Sequence, residues 1–344
     1  MQKVAQAPLA VTGGDPAGIG FDITLKAWAQ RTALNLPPFA LFANAGAVIE
    51  RATTLGLNVP IERISALSQT ATAFARNLPV IDVAQSKLTR AGHPNSANGA
   101  AVIACIEQAT AAVIAGHASA LVTNPIAKNV LYAAGFKHPG HTEFLAALAE
   151  RHNPGQSFIP VMLLSCDELR VVPLTIHVPL AVVPGLISEA TIIQTARILH
   201  AGLIRDFGIA DPRIAVAGLN PHAGEAGTIG REDEEIVRPA VEALQREGLR
   251  VTGPHYADTL FHAVARETYD AVIAMYHDQA LIPIKTLAFD RGVNMTLGLP
   301  FVRTSPDHGT AFDIAGSGAA RPESFIEALR LALSASQRRA GMDA

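Results

Sequence analysis

The chain has 344 residues, of which 49% are hydrophobic and 17% charged, with a formal net charge of −3. At roughly 100–200 residues per domain, that length fits about two domains with a sizeable core. No basic block is present, which argues against nucleic acid as the main partner, and two cysteines, Cys105 and Cys166, cannot build a disulfide framework, which points to buried thiols in a reducing cytosol.

In chain order, the opening MQKVAQAPLAVTGGDP carries an apolar run too short for a signal peptide. Leu9 to Thr12 reads as a first strand, followed by a Gly-rich loop from Gly13 to Gly20 and a helix from about Asp22. That loop has neither GxGxxG nor Walker spacing, so it fits a tight turn as well as a ligand loop. From Asn98 to Ala115, Val102, Cys105, Ile106, Ala109 and Val113 form one helical face, ended by Gly116. The region from about Ala100 to Val122 is broken by Glu107, Gln108 and His117, short of the roughly 18 uninterrupted apolar residues of a membrane helix. A strand from Ala118 to Val122 stops at Thr123-Asn124-Pro125, with Lys128 close behind. Thr142 is the expected N-cap of a helix reaching about His152, which sets His141 and Thr142 beside free backbone N–H groups that favour an anion.

Three later strands end alike: Arg170 to Ile176 at His177, Arg213 to Leu219 at His222, and Ala271 to Met275 at His277 and Asp278. Helices with apolar faces lie between them, one on Ile192, Ala196, Leu199, Leu203 and Phe207, another on Ile236, Ala240 and Leu244. The acidic run from Glu232 to Glu235 reads as a charged first turn, and the tail from Pro322 as an amphipathic helix fraying at Gln337. This alternation predicts an α/β fold with mostly parallel sheets flanked by helices, whose ligands bind past the carboxyl ends of the strands. Three imidazoles placed alike in that way suit a divalent ion such as zinc or cobalt. The seven histidines at 93, 117, 138, 152, 200, 255 and 262 lack that placement. Lys285, Asn294 and Arg303, set among Gly, Pro and apolar residues, suit an anion, Arg303 as a bidentate fork. No HExxH or CxxC pattern occurs.

The motifs GDPAGIG (Gly14 to Gly20), TNPIAK (Thr123 to Lys128), GHTEF (Gly140 to Phe144), GLNPHAGEAGTIGRE (Gly218 to Glu232), ADTLF (Ala257 to Phe261), AMYHDQ (Ala274 to Gln279) and VNMTLGLPFVRTSPDHGTAFDIAG (Val293 to Gly316) span nearly the whole chain. Together they resemble the 4-hydroxythreonine-4-phosphate dehydrogenases, with Phe21 where that family carries proline. The resemblance implies two α/β/α domains around a central cleft, as in isocitrate and isopropylmalate dehydrogenases. Boundaries are expected at 1–128 with 280–344, and 129–279. It implies a cytoplasmic homodimer with the active site at its interface, NAD (or NADP) as cofactor, and a divalent metal (zinc, magnesium or cobalt) on His177, His222 and His277. Substrate contacts would fall on His141, Thr142, Lys285, Asn294 and Arg303, and cofactor contacts on His308, Gly309, Thr310 and Asp313. Asp258 and Asp278 are the candidate general bases, a capping role fitting Asp258 equally well. Within the family the alternatives are 4-phospho-threonate or erythronate and aromatic cis-dihydrodiols. Outside it they are a phosphate acyltransferase of the same fold and a non-catalytic binding protein.

Overall fold

The structure is a computed structural model and describes residues 7–84 and 89–342. The first six residues of the opening run lie outside the described residues. Twelve strands occur among them. They are β1 (Leu9–Thr12), β2 (Phe39–Ala43), β3 (Ile61–Ile64), β4 (Leu78–Asp82), β5 (Ala120–Thr123), β6 (Val161–Ser165), β7 (Arg170–Pro173), β8 (Arg213–Ala217), β9 (Arg250–His255), β10 (Ala271–Ala274), β11 (Val293–Leu297) and β12 (Arg303–Pro306).

The chain divides into two compact units, residues 1–160 with 299–337 and residues 161–298 with 338–344. The boundaries therefore fall at 160 and 298 rather than at the expected 128 and 279. The helix that begins at His141 buries Phe144, Leu145, Leu148 and Ala149 in the first unit's core, and so carries its segment with it.

In the first unit the strands run β3-β4-β2-β1-β5-β12, every neighbouring pair parallel. Parallel strands need covered faces and nearly continuous apolar sequence. All four residues of β1 and of β5 are buried accordingly. The Gly99–Ile114 helix packs on β1, β2 and β5 with the expected residues, Val102, Cys105, Ile106, Ala109 and Val113, all buried. With its leading turn from Ser96 it is long and apolar enough to cross a membrane by composition, and burial of one face in this core accounts for that composition. Phe325 of the Glu323–Met342 helix meets Phe39 edge-on at 6.1 Å.

The second unit has the order β11-β6-β7-β10-β8-β9, antiparallel across β11-β6-β7 and parallel from β7 to β9. The Glu189–Phe207 helix buries Ile192, Ala196, Leu199 and Leu203 as expected, while Phe207 is half-buried under the Arg170 guanidinium at 4.8 Å. Burying Ile192, Leu199 and Leu203 is worth on the order of 5–9 kcal/mol. The next helix departs from expectation. Asp233–Val237 is a π-turn, so Val237 rather than Ile236 enters the core with Ala240, Val241 and Leu244. The terminal helix also does not fray at Gln337: it continues to Met342, and Arg339 grips the fully buried Asp206 carboxylate at 2.6 and 3.0 Å.

Candidate active site

In the second unit β7, β10 and β8 are neighbours in parallel, so their carboxyl ends open side by side. Past β7, the Thr175 hydroxyl donates to the Met275 carbonyl at 2.8 Å and holds the segment against the exit of β10. His177 thereby meets His277, the first residue of the His277–Ala288 helix, with ring centroids 5.5 Å apart and planes at 46°. Nδ1 of His277 engages the Asp278 carboxylate at 2.7 Å.

His222 stands on the loop after β8, where the backbone is left-handed at His222, Ala223, Glu225 and Ala226. Such conformations cost free energy and persist only where surroundings enforce them. Here Asp233 is the enforcer. Its fully buried carboxylate accepts from the Leu219 N–H (2.7 Å), the Asn220 N–H (3.0 Å) and Asn220 Nδ2 (3.0 Å). Asp233 is thus a structural clasp rather than one more acid of a solvated first turn. His222 Nδ1 engages Glu225 at 2.5 Å, and its ring stacks on Tyr256 at 5.4 Å. The Glu225 hydrogen bond raises the His222 pKa, and the Asp258 charge adds to the effect. Asp258 lies in a single 3-10 turn, Ala257–Thr259, facing His222.

A carboxylate on Nδ1 fixes tautomer and ring orientation and leaves Nε2 for a metal. His222 and His277 both have that arrangement, so the donor set fits a divalent ion. Among the described residues no group of three or more His, Cys, Asp or Glu side chains is arranged to hold a metal. The fold brings His177 and His277 together, while His222 keeps company with Glu225, Tyr256 and Asp258. Also in this unit, Lys285 Nζ lies 5.6 Å from the Phe289 ring centroid, and Asn294 on β11 buries an Oδ1 that has no partner.

The first unit holds the other anion-seeking residues, His141, Thr142 and Arg303. The helix His141–His152 starts after Gly140, which is its N-cap and offers no side-chain acceptor. Thr142 is therefore a first-turn residue and not the cap, and the first N–H groups are left for another acceptor. His141 Nε2 is buried without a partner, although the residue as a whole is only half-buried. Burial, then the Arg303 charge, holds its pKa well below the ordinary imidazole value. Arg303 opens β12 at 4% exposure and donates from Nε (3.1 Å) and Nη2 (2.7 Å) to the Thr123 hydroxyl. Burial pushes its pKa down to about 10, against the opposing pull of Glu143. At neutral pH Arg303 is thus charged and His141 neutral.

The expected cofactor segment also lies in the first unit. His308 Nδ1 contacts its neighbour's carbonyl, Gly309 O, at 3.1 Å, and Asp313 is exposed. The Thr310 carbonyl accepts from the Ile19 N–H at 3.0 Å, and a Cβ on Gly18 would lie 2.9 Å from that oxygen. The GDPAGIG loop is therefore bound to this segment as well as making a turn. A cavity of about 360 Å³ opens beside it, lined by Pro16, Arg51, Arg90, Ala315 and Gly316 among others. None of His308, Gly309, Thr310 or Asp313 lines that cavity. Sequence reasoning missed Glu225, Asp233 and Tyr256. Only the close spacing of Glu225 and Asp233 to His222 could have marked them.

The chain matches the family model of the pyridoxal phosphate biosynthetic protein PdxA over residues 37–332. It is 55% identical over 330 residues to the 4-hydroxythreonine-4-phosphate dehydrogenase of Xanthobacter autotrophicus, covering 96% of this chain and 93% of that one. The crystal structure of the 4-hydroxythreonine-4-phosphate dehydrogenase from Klebsiella pneumoniae is similar at a TM-score of 0.85 and 37% identity, covering 96% of this chain and all of the other. A terephthalate 1,2-cis-dihydrodiol dehydrogenase from Burkholderia xenovorans is similar at a TM-score of 0.62 and 30% identity, covering 96% and 98%.

Proposed function

From the premise that this chain belongs to the family of the pyridoxal phosphate biosynthetic protein PdxA, we propose that it oxidises 4-phosphooxy-L-threonine. The product, 2-amino-3-oxo-4-phosphooxybutanoate, is a β-keto acid and loses CO₂ to give 3-amino-2-oxopropyl phosphate. The observation that carries the substrate reading is the buried, unpartnered His141 Nε2 beside the buried Arg303 guanidinium. A neutral imidazole N–H and a desolvated guanidinium form a donor pair that a phosphate or carboxylate oxygen satisfies.

In this reading His141, Thr142, Lys285, Asn294 and Arg303 grip the anionic ends and hold C3 in place, a positioning effect. The metal is zinc, magnesium or cobalt on His177, His222 and His277, and bound there it supplies Lewis acidity to the C3 hydroxyl. NAD, or NADP, held by the His308, Gly309, Thr310 and Asp313 segment, supplies the hydride acceptor. Asp278 is tied to His277 Nδ1 and so orients that ring, which favours Asp258, facing His222, as the group that takes the hydroxyl proton.

We assign the molecule to a cytoplasmic homodimer with the site at its interface, where His222 of one copy completes the His177–His277 pair of the other. The exposed run Ile176, Val178, Leu180, Val182 and Leu186 around His177 supports a docking face there. The test is absorbance at 340 nm with NAD⁺ and a panel of phosphooxy-threonine, phosphothreonate, phosphoerythronate and a dihydrodiol, with and without a chelator. Chelator-sensitive NADH formation from phosphooxy-threonine alone is expected. NADH only from the dihydrodiol, or from none of them, refutes the assignment.

A further inference from the structure

We propose that Asp22 and Arg51 are positioning residues for the dinucleotide cofactor. Their buried ion pair locks the GDPAGIG loop to the 310–316 segment and keeps the cofactor's docking surface in one arrangement. The inference rests on the reading of His308, Gly309, Thr310 and Asp313 as cofactor contacts. Arg51 stands on the helix Ala45–Thr54 at 4% exposure, and Asp22, in the first turn of the helix Gly20–Ala29, is fully buried. Arg51 Nη1 donates to the Gly18 carbonyl at 2.8 Å and also to the Asp22 carboxylate, while Nη2 donates to the Pro16 carbonyl at 2.8 Å. The other Asp22 oxygen accepts from the Gly316 N–H at 2.7 Å. One guanidinium thus grips the loop at two carbonyls and, through Asp22, the far end of the segment.

Backbone contacts draw the same segments together. The Ile19 N–H donates to the Thr310 carbonyl at 3.0 Å, and the Gly92 N–H to the Ala17 carbonyl at 2.9 Å. A Cβ on Gly92 would lie 2.9 Å from the Phe312 carbonyl oxygen, and one on Gly316, at φ 73°, would lie 2.7 Å from Ala91 Cβ. One turn on from Asp22, Lys26 donates to the Gly318 and Ala320 carbonyls, both at 2.6 Å, and extends the hold past Gly316. Arg51 and Asp22 cancel each other's charge, so what the pair contributes is geometry. A planar guanidinium sends its N–H groups in fixed directions, which a lysine ammonium does not. Arg51 and Gly316 also wall the cavity of about 360 Å³ beside the loop, a volume within the roughly 300–1,000 Å³ of small-molecule pockets. A wall held in place before the ligand arrives spares the ordering that a loose one would undergo on binding.

The experiment is fluorescence titration of the full-length chain with NADH, run well below each variant's melting temperature, beside calorimetric titration with phosphooxy-threonine. Wild type, Arg51→Lys, Asp22→Asn and Asp313→Ala are compared. Arg51→Lys keeps the charge and loses the fork. It is expected to bind NADH about tenfold more weakly and phosphooxy-threonine as wild type does. Asp22→Asn keeps an acceptor for Gly316 but turns an amide N–H toward the guanidinium, and a loss of similar size is expected. Hydrogen exchange over residues 15–20 and 310–316 should rise in both variants and be slowed again by saturating NADH. Should Arg51→Lys not fold, Asp22→Asn decides. NADH affinity at the wild-type value in the folded clamp variant, with Asp313→Ala weakened, overturns the proposal and leaves the pair a contributor to stability alone. Equal weakening of phosphooxy-threonine binding marks a general loosening of the unit and overturns it too. Wild-type NADH affinity in Asp313→Ala overturns instead the reading of the segment on which the proposal stands.

Discussion

His141 is an imidazole held neutral by its surroundings, and this has a consequence for stability. In the unfolded chain it titrates near the ordinary imidazole value of about 6.5. In the folded chain burial and Arg303 hold its pKa well below that. The unfolded state therefore binds the proton first on acidification. The stability tied to this group is complete above about pH 6.5 and erodes as the pH falls toward the folded value, with a slope of at most about 1.4 kcal/mol per pH unit. Denaturant melts at pH 7 and pH 5.5 should show His141→Asn losing less stability over that interval than the parent. An equal loss would mean that other groups, the half-buried His255 among them, carry the acid sensitivity. Position after a strand was enough to nominate the three metal-seeking histidines, an expected helix start to nominate His141, and a setting among Gly, Pro and apolar residues to nominate Arg303. Their partners were not legible, because Glu225, Thr123 and Tyr256 act through rotamers and chain crossings that no spacing encodes.

At the level of elements, the stretch after β8 is the least like a regular structure and the most dependent on one side chain. Four non-glycine residues there hold positive φ, and the Asp233 carboxylate ties the start of the loop to the turn that follows it. Replacing Asp233 with Ala leaves the Leu219 and Asn220 N–H groups without an acceptor, while Asn220 Nδ2 keeps Glu232, a loss of about 2 kcal/mol or more. Because the same loop presents His222, zinc affinity should fall roughly 10- to 100-fold, as for other groups that orient ligands. Competition of the folded variant against a chromogenic chelator measures this, and unaltered affinity would free His222 from its dependence on the clasp. The helix faces at Val102–Val113 and Ile192–Leu203 were legible because a period of 3.6 is written in the residues themselves. The one-residue slip that buries Val237 was not, because it follows from a π-turn that accommodates Asp233 beneath the loop. Thr142 was misplaced for a similar reason: its hydroxyl suits a cap, yet Gly140 has the extended backbone that starts the helix.

For the molecule as a whole, the chain passes between its two units at residues 160, 298 and 337, so neither unit is a single contiguous stretch. The motif order alone could not set those crossings, since it reports which segments carry chemistry and not which core they bury in. The proposed sharing of His177, His222 and His277 between two copies leads to a prediction. His222→Ala and His277→Ala should each be folded and inactive, whereas an equimolar mixture, after subunit exchange, should regain about a quarter of wild-type turnover. Half of its dimers are then mixed, and each mixed dimer has one intact site under two-fold symmetry. Turnover in either single variant removes that residue from the ligands, and no recovery in an exchanged mixture places all three rings in one copy. Exchange of this kind can be followed without stripping native sulfur from the protein. Burial pushes the Cys105 thiol up to about 12 and the Cys166 thiol up to about 11, so neither forms appreciable thiolate at neutral pH. A single cysteine put at an exposed position such as Ile159 would then be the one reactive handle for a maleimide dye, and fluorophores on two copies would report their pairing directly.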